Sequence, residues 1–170
     1  MSRLAQGRQQ GLAVVEFAMI LPILLLLFFG IVDLGRIVLT RQILINVSRE
    51  ASNLASRGTS PADAVAAALI SAQPLKIPTD GYVIVTEVFR DINGKTTVRS
   101  QTKSGGYPKP SKIGASTGAA ATLPATPTSV PPNGQSIFAT EVYYHSVAIT
   151  PLGTLINMTV GDTFYDVAFF

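Results

Sequence analysis

Between Phe17 and Val32 the chain reads FAMILPILLLLFFGIV, sixteen consecutive residues without a charge. Extended back to Leu12, the stretch has 21 residues, and Glu16 is its only charged member. At about 1.5 Å of rise per residue a helix of that length covers roughly 31 Å, close to the ~30 Å hydrocarbon core of a bilayer. A buried helix of a soluble protein carries a polar stripe, and nothing between Phe17 and Val32 supplies one. The stretch therefore reads as a membrane span. Arg3 and Arg8 give it a basic lead-in, as a secretory signal would have. Against removal after the stretch, the apolar run exceeds the ~7 to 15 residues of a signal, and no A-x-A-like site closely follows Val32.

Beyond Val32 the pattern becomes amphipathic. Leu34, Ile37, Val38, Leu44, Ile45, Val47, Ala51, Leu54 and Ala55 recur mostly three or four apart, with Asp33, Arg36, Arg41, Arg49 and Glu50 between them. The spacing predicts one helix from Leu12 to Arg57, roughly 70 Å long, its first half in lipid and its second half packed on a soluble domain. Asp33 and Arg36 can pair at i,i+3 where the chain leaves the membrane, and Gly58 is a stop signal. Pro22 and Gly30 mark a bend that a bilayer tolerates. No GxxxG spacing argues for a helix-dimer seam.

Composition agrees with a membrane anchor joined to one small domain. Of 170 residues, 14% are charged, against about 25% in soluble domains, and 47% are hydrophobic. The net charge of +3 comes without any run of like charges, so nothing supports nucleic-acid binding. Without cysteine there is no disulfide and no thiolate chemistry. His145 is the only imidazole, in a strand-like stretch with no identifiable acid or nucleophile partner, and reads as a surface or rim residue. Asp91 and Asn93 flank Gly94 but lack the remaining calcium-loop spacing, and no phosphate-binding glycine pattern is present. Tyr143-Tyr144 and Phe169-Phe170 are read as strand packing. The expectation is a protein that is not an enzyme, with no cofactor and no metal.

After the helix, Ser60-Pro61-Ala62-Asp63 is a helix start, predicting a short helix from Pro61 to Ala72. Tyr82 to Arg90 alternates and is β-branched, Asp91 to Gly94 is a turn, and Lys95 to Ser100 returns, which predicts a hairpin. In residues 101–135, 25 of 35 residues are Gly, Ser, Thr, Ala or Pro, so a long solvated loop burying little is expected. Phe138 to Ile149 and Phe164 to Phe170 supply further strands, joined through Thr150-Pro151-Leu152-Gly153 and a short apolar piece at Leu155 to Val160. The fold class is α+β: a long N-terminal transmembrane and amphipathic helix packed on a small antiparallel β-sheet domain.

Glu16 is the residue that demands an explanation. A carboxylate at mid-bilayer depth costs several kcal/mol, about 2.5 to 3.5 for comparable residues on insertion scales. It can snorkel to the interface. No Lys or Arg lies between Arg8 and Arg36 to pair with it, so a partner must come from elsewhere.

Gly11, Leu12-Ala-Val-Val15 and Glu16-Phe17, behind a short basic leader and ahead of a long apolar helix, resemble the processing site of type IV prepilins. The wider string QGLAVVEFAMILPILLLLFFGIVDLGR more closely resembles the TadE-like family, pseudopilins of the tight-adherence (Flp) pilus system. SREASNLASRG, with Arg49, Glu50, Ala51 and Arg57, is similar to that family's small-residue helix end, and EVYYHSVAITPLGTLI to its strand-to-Pro-Leu segment. Leu12 stands where many type IVa pilins and type II secretion pseudopilins place an aromatic residue, which favours the tight-adherence branch.

The resemblance implies a pilin-like fold, a leader of residues 1–11 cut after Gly11 by a prepilin peptidase, a helix over 12–57, and a periplasmic domain over 58–170 containing the 101–135 loop. It implies roles for Gly11 and Leu12 in processing and for Glu16 and Phe17 in recognition or assembly. Cleavage would create an α-amino group on Leu12, a cation that can meet Glu16 in the same helix at i,i+4 or in a neighbouring subunit. The implied partners are the peptidase, other pilins or pseudopilins and the tight-adherence assembly platform, in a homo- or hetero-oligomer. The implied location is the bacterial inner membrane, single-pass, or the pilus itself. Arg36, Arg41 and Arg49 follow the span closely, so the positive-inside rule does not favour a cytoplasmic N-terminus, whereas the resemblance does. A competing reading is a periplasmic binding module held by an unprocessed N-terminal anchor.

Overall fold

The computed structural model of the protein describes residues 3–124, 129–147, 149–150, 153, 158 and 161–170, with side chains from Leu12 onward. The elements are α1 (Arg3–Ser56), α2 (Pro61–Ser71), α3 (Ile77–Asp80), β1 (Gly81–Arg90), β2 (Thr96–Ser104), β3 (Ser136–His145) and β4 (Thr163–Phe169). An N-terminal apolar helix and a four-stranded antiparallel sheet make this an α+β protein. Its contacts divide it into two compact units, 1–38 with 148–161 and 39–147 with 162–170.

In the sheet unit the strand order is β2-β1-β3-β4, every neighbouring pair antiparallel. The β1–β2 hairpin forms where the alternation predicted it. Asp91 closes its turn by accepting from Lys95 N–H at 2.7 Å, and Gly94 supplies the left-handed residue at φ +85°. β1 and β3 are central, and Val83, Ile84, Val85, Ala139, Thr140, Glu141 and Val142 are all fully buried. Burial of successive residues means that both faces of the sheet are covered.

One face lies under the second part of α1. From Leu39 onward its buried residues are Thr40, Leu44, Val47, Ser48, Ala51, Ser52 and Ala55, a stripe at three- and four-residue spacing. The apolar members were legible in the sequence; the hydroxyls were not. Ser48 donates to Asp166, and Ser52 donates to the Ala168 carbonyl at 2.9 Å, so α1 meets the even-numbered face of β4. Small residues let the helix backbone come close enough for those bonds. The helix stops in a Schellman arrangement: Thr59 N–H reaches the Leu54 carbonyl and Gly58 N–H the Ala55 carbonyl, with Gly58 at φ +91°. α2 begins as predicted, with Ser60 Oγ accepting from Asp63 N–H at 3.2 Å and Pro61 in the first turn.

The opposite face shows where composition misled. Residues 101–135 do more than run through solvent: β2 continues to Ser104, and Ile113 is buried against Val88 and Ala139, with Ala121, Leu123, Ile137, Val167 and Phe169 packed around them. Residues 118–121 also pair with the outer edge of β2, through Val98 N–H to Ala119 O at 2.9 Å and Ala121 N–H to Thr96 O at 3.0 Å. A chain poor in large side chains can still cover a sheet when backbone bonds and a few apolar residues hold it there.

The cover starts at a tight crossing. A Cβ on Gly105, which sits at φ +133°, would lie 2.3 Å from the Gly81 carbonyl oxygen. Gly105→Ala should therefore cost about 1–3 kcal/mol, read as a lower urea midpoint.

In the other unit, the apolar part of α1 is exposed along its length; Met19, Ile23 and Phe28 are each more than half accessible. Among the described residues this is the one helix long and apolar enough to cross a membrane, and none of its most apolar window is buried. The link at Pro151-Leu152 and the apolar piece at Leu155 to Val160 lie outside the described residues, apart from Met158.

Candidate functional site

Gly11, Leu12, Glu16 and Phe17 all fall within α1. The side chains of Leu12, Glu16 and Phe17 are exposed. Leu12 and Glu16 stand one helical turn apart on one face of α1. Among the described residues Glu16 has no hydrogen-bond or ion-pair partner.

Asp33, at the end of the apolar run, is buried and accepts a hydrogen bond from the Thr150 hydroxyl. Gly153 N–H in turn donates to Thr150 Oγ1 at 3.1 Å. Among the described residues no Asp33–Arg36 ion pair lies within 4 Å; the short hydroxyl of Thr150 takes the place that spacing along α1 offered to Arg36.

A second polar centre lies in the sheet unit and was not singled out from the sequence. Glu141, fully buried on β3, accepts from Ser111 Oγ, from Lys112 N–H at 2.8 Å, from Tyr165 OH at 3.2 Å and from Tyr143 OH at 3.3 Å. Tyr143 and Tyr165 face each other across β3 and β4, ring centroids 4.8 Å apart. The Lys112 ammonium stands 3.7 Å from the Tyr165 ring centroid. Both carboxylate oxygens are engaged, by groups from the loop cover, from β4 and from Tyr143 on β3 itself. The arrangement fastens the 111–113 turn to the sheet. A lone acid inside the β-branched and aromatic run IFATEVYYH was the available signal for it.

The network raises the ionisation of both phenols well above the ordinary value of about 10, first through burial and then through the Glu141 charge. A folded-state value above the unfolded one means stability complete below about pH 10 and lost as pH rises beyond it. Each phenol should contribute a slope of at most about 1.4 kcal/mol per pH unit in that range, reduced by solvent screening. Phenolate absorbance should show these two of the five tyrosines ionising with alkaline unfolding, and Tyr165→Phe should remove half of the slope.

Beside the network is an open apolar cavity of about 330 Å³, lined by Ile113, Leu123, Pro124, Val167 and Phe169, with Lys112, Thr122 and Tyr165 at its polar margin. His145 does have an acid near it, contrary to the sequence reading: Asp162 lies 3.5 Å away, and Tyr107 stacks on the imidazole at 5.1 Å. The antiparallel return of β4 puts Thr163 opposite His145 and so brings Asp162 beside it, a proximity invisible at seventeen residues' separation. Among the described residues no group of three metal-ligating side chains occurs.

An exposed helix long and apolar enough to cross a membrane, together with a sheet whose one face is covered by the same helix's later turns, defines an α+β protein whose N-terminal helix suggests membrane anchoring. Residues 11–53 match the family described as TadE-like protein, which makes the N-terminal quarter a TadE-like segment beginning at Gly11. The match suggests involvement in a tight-adherence (Flp) pilus system, and such pilus-associated families are generally non-enzymatic. No curated protein and no solved structure matches the chain.

Proposed function

We propose that this chain is a minor pseudopilin or pilus-assembly component of a tight-adherence (Flp) pilus system, processed by a prepilin peptidase after Gly11. The observation that carries this reading is the family match, which begins at residue 11, at the glycine of the resembled cleavage site. The exposed apolar length of α1 supports assembly by helix-to-helix contact, with Glu16 pairing with the amine freed on Leu12 of a neighbouring subunit. In this reading Phe17 packs in the helix bundle, and Asp33 and Arg36 mark the membrane exit. The partners are the peptidase, other pilins or pseudopilins and the assembly platform; the sheet domain faces the periplasm and the helix lies in the inner membrane until it enters a filament.

The competing reading, a tethered periplasmic binding module, draws on the apolar cavity over β4, whose volume is at the lower end of ligand pockets. Mass spectrometry of the protein isolated from its own host separates the two. A mature chain starting at Leu12 is the expected result, and an intact Met1 or Ser2 in piliated cells would refute the proposal.

A further inference from the structure

The two outer strands of the sheet are finished differently. Gly118 N–H donates to the Val98 carbonyl at 2.8 Å, Val98 N–H to Ala119 O and Ala121 N–H to Thr96 O, so the chain itself covers the outer edge of β2 between Thr96 and Val98. β4 forms the other edge. Phe138 and Phe170 exchange both backbone bonds, at 2.7 and 2.9 Å, and Ser146 N–H donates to Asp162 O at 2.7 Å. Those bonds set the phase of the β3–β4 ladder. Phe164, Asp166 and Ala168 direct N–H and C=O inward to β3, and Thr163, Tyr165, Val167 and Phe169 direct theirs outward. Among the described residues nothing bonds these outward backbone groups.

β4 also lacks the usual defences of an open edge. It contains no Lys, Arg or Pro, its register with β3 runs without a bulge, and its one charge, Asp166, accepts from Ser48 on α1. The side chains of Tyr165, Val167 and Phe169 line the apolar cavity of about 330 Å³, which therefore flanks the open edge. A row of outward donors and acceptors is matched in register only by another extended backbone, and the cavity selects an apolar side chain on it. An antiparallel pair with β4 of a second copy fits poorly. Arg41 lies over Phe164, Ser48 bonds Asp166 and Ser52 bonds Ala168, so this part of α1 runs along β4 in the same direction. A two-fold antiparallel pair would point the Leu39 ends of the two helices, which lead to the apolar run, in opposite directions, and one bilayer could not anchor both.

We propose that the outer edge of β4 is a strand-addition site for an extended segment of a different protein, with apolar residues at alternate positions and one of them seated in the cavity beside Val167. The backbone from Thr163 to Phe169 supplies the affinity and the cavity the selectivity. This contact goes beyond the helix-mediated assembly proposed above and does not depend on cleavage after Gly11.

Amide exchange followed by NMR on the full chain in detergent micelles reads the edge first. Phe164, Asp166 and Ala168 should exchange about a hundredfold more slowly than Tyr165, Val167 and Phe169. Equal protection would show that the chain already covers this edge, and would overturn the proposal. p-Benzoylphenylalanine in place of Phe169, in the native host, should on illumination cross-link to an extended apolar segment of another protein, whereas the same probe in place of Ile92 in the β1–β2 turn should not. Val167→Pro removes an outward N–H that the ladder does not use, so it should keep the urea midpoint and lower the Phe169 adduct about tenfold. Thr163→Pro, at the first residue of the strand, takes its place if Val167→Pro lowers the midpoint. An adduct to a second copy, no adduct at all, or an adduct undiminished in a folded Pro variant each defeats the idea. The mass of the N-terminus in the same cells reports processing separately.

Discussion

Glu141→Ala should cost the sheet unit about 3–5 kcal/mol, because truncation strands up to three donors, each worth about 1–3 kcal/mol when left buried without an acceptor. Those donors are Ser111 Oγ, Lys112 N–H and Tyr165 OH, whereas Tyr143 OH keeps the Pro110 carbonyl at 3.0 Å. Set against a domain stability of about 5–15 kcal/mol, the loss is severe. Glu141→Gln separates charge from bonding. Its carbonyl can keep three of the bonds, but its amide would face Ser111 Oγ, which already accepts from Ile113 N–H and Gly114 N–H. A loss of about 1–2 kcal/mol is expected for it. Urea unfolding in detergent, followed by tyrosine near-ultraviolet dichroism, reads both variants. An Ala variant with an unshifted midpoint would show that water replaces the carboxylate and that the loop cover is held by its apolar contacts alone.

Glu16→Gln should leave the fold untouched and reduce assembly about a hundredfold, the equivalent of about 3 kcal/mol for stranding one member of a poorly solvated ion pair. Glu16 is exposed and has no partner among the described residues, so no intramolecular network is there to collapse. Two readouts keep processing and assembly apart. The fraction of chains beginning at Leu12, by mass, reports the peptidase; the fraction recovered in sheared filaments or in a cross-linked membrane complex reports association. The expected pattern is a larger fall in the second. Gly11→Leu should instead abolish cleavage, leave the leader attached and prevent incorporation through the missing amine. Wild-type levels of both readouts in Glu16→Gln would make Glu16 a residue that merely snorkels to the interface.

The elements legible in the sequence are those whose physics is local. Sixteen uncharged residues define a helix that lipid can accept, Ser60-Pro61 and Gly58 punctuate the helices by backbone conformation, and strict alternation around Asp91 to Gly94 fixes a hairpin. The buried stripe on α1 was half visible: Leu44, Val47, Ala51 and Ala55 stand out by hydropathy. Ser48 and Ser52 look solvent-facing until Asp166 and Ala168 arrive more than a hundred residues later. The Gly-, Ser- and Pro-rich stretch was misjudged for the same reason. Low hydropathy measures what a segment gains by burial on its own and says nothing of acceptors that a distant strand offers.

The sequence by itself thus determined the long apolar helix, the short helix after it, the β1–β2 hairpin and the isolated carboxylate of Glu16, since each follows from neighbours within a few turns, whereas the short α3 before β1 was not legible. The tertiary structure alone decided that residues 111–124 roof the sheet, that Glu141 is the buried post they hang from, that Asp162 meets His145, and that Asp33 takes Thr150 as its partner. Those pairings join groups from 17 to 117 residues apart, and only the antiparallel return of the strands and the path of their connections brings each donor to its acceptor.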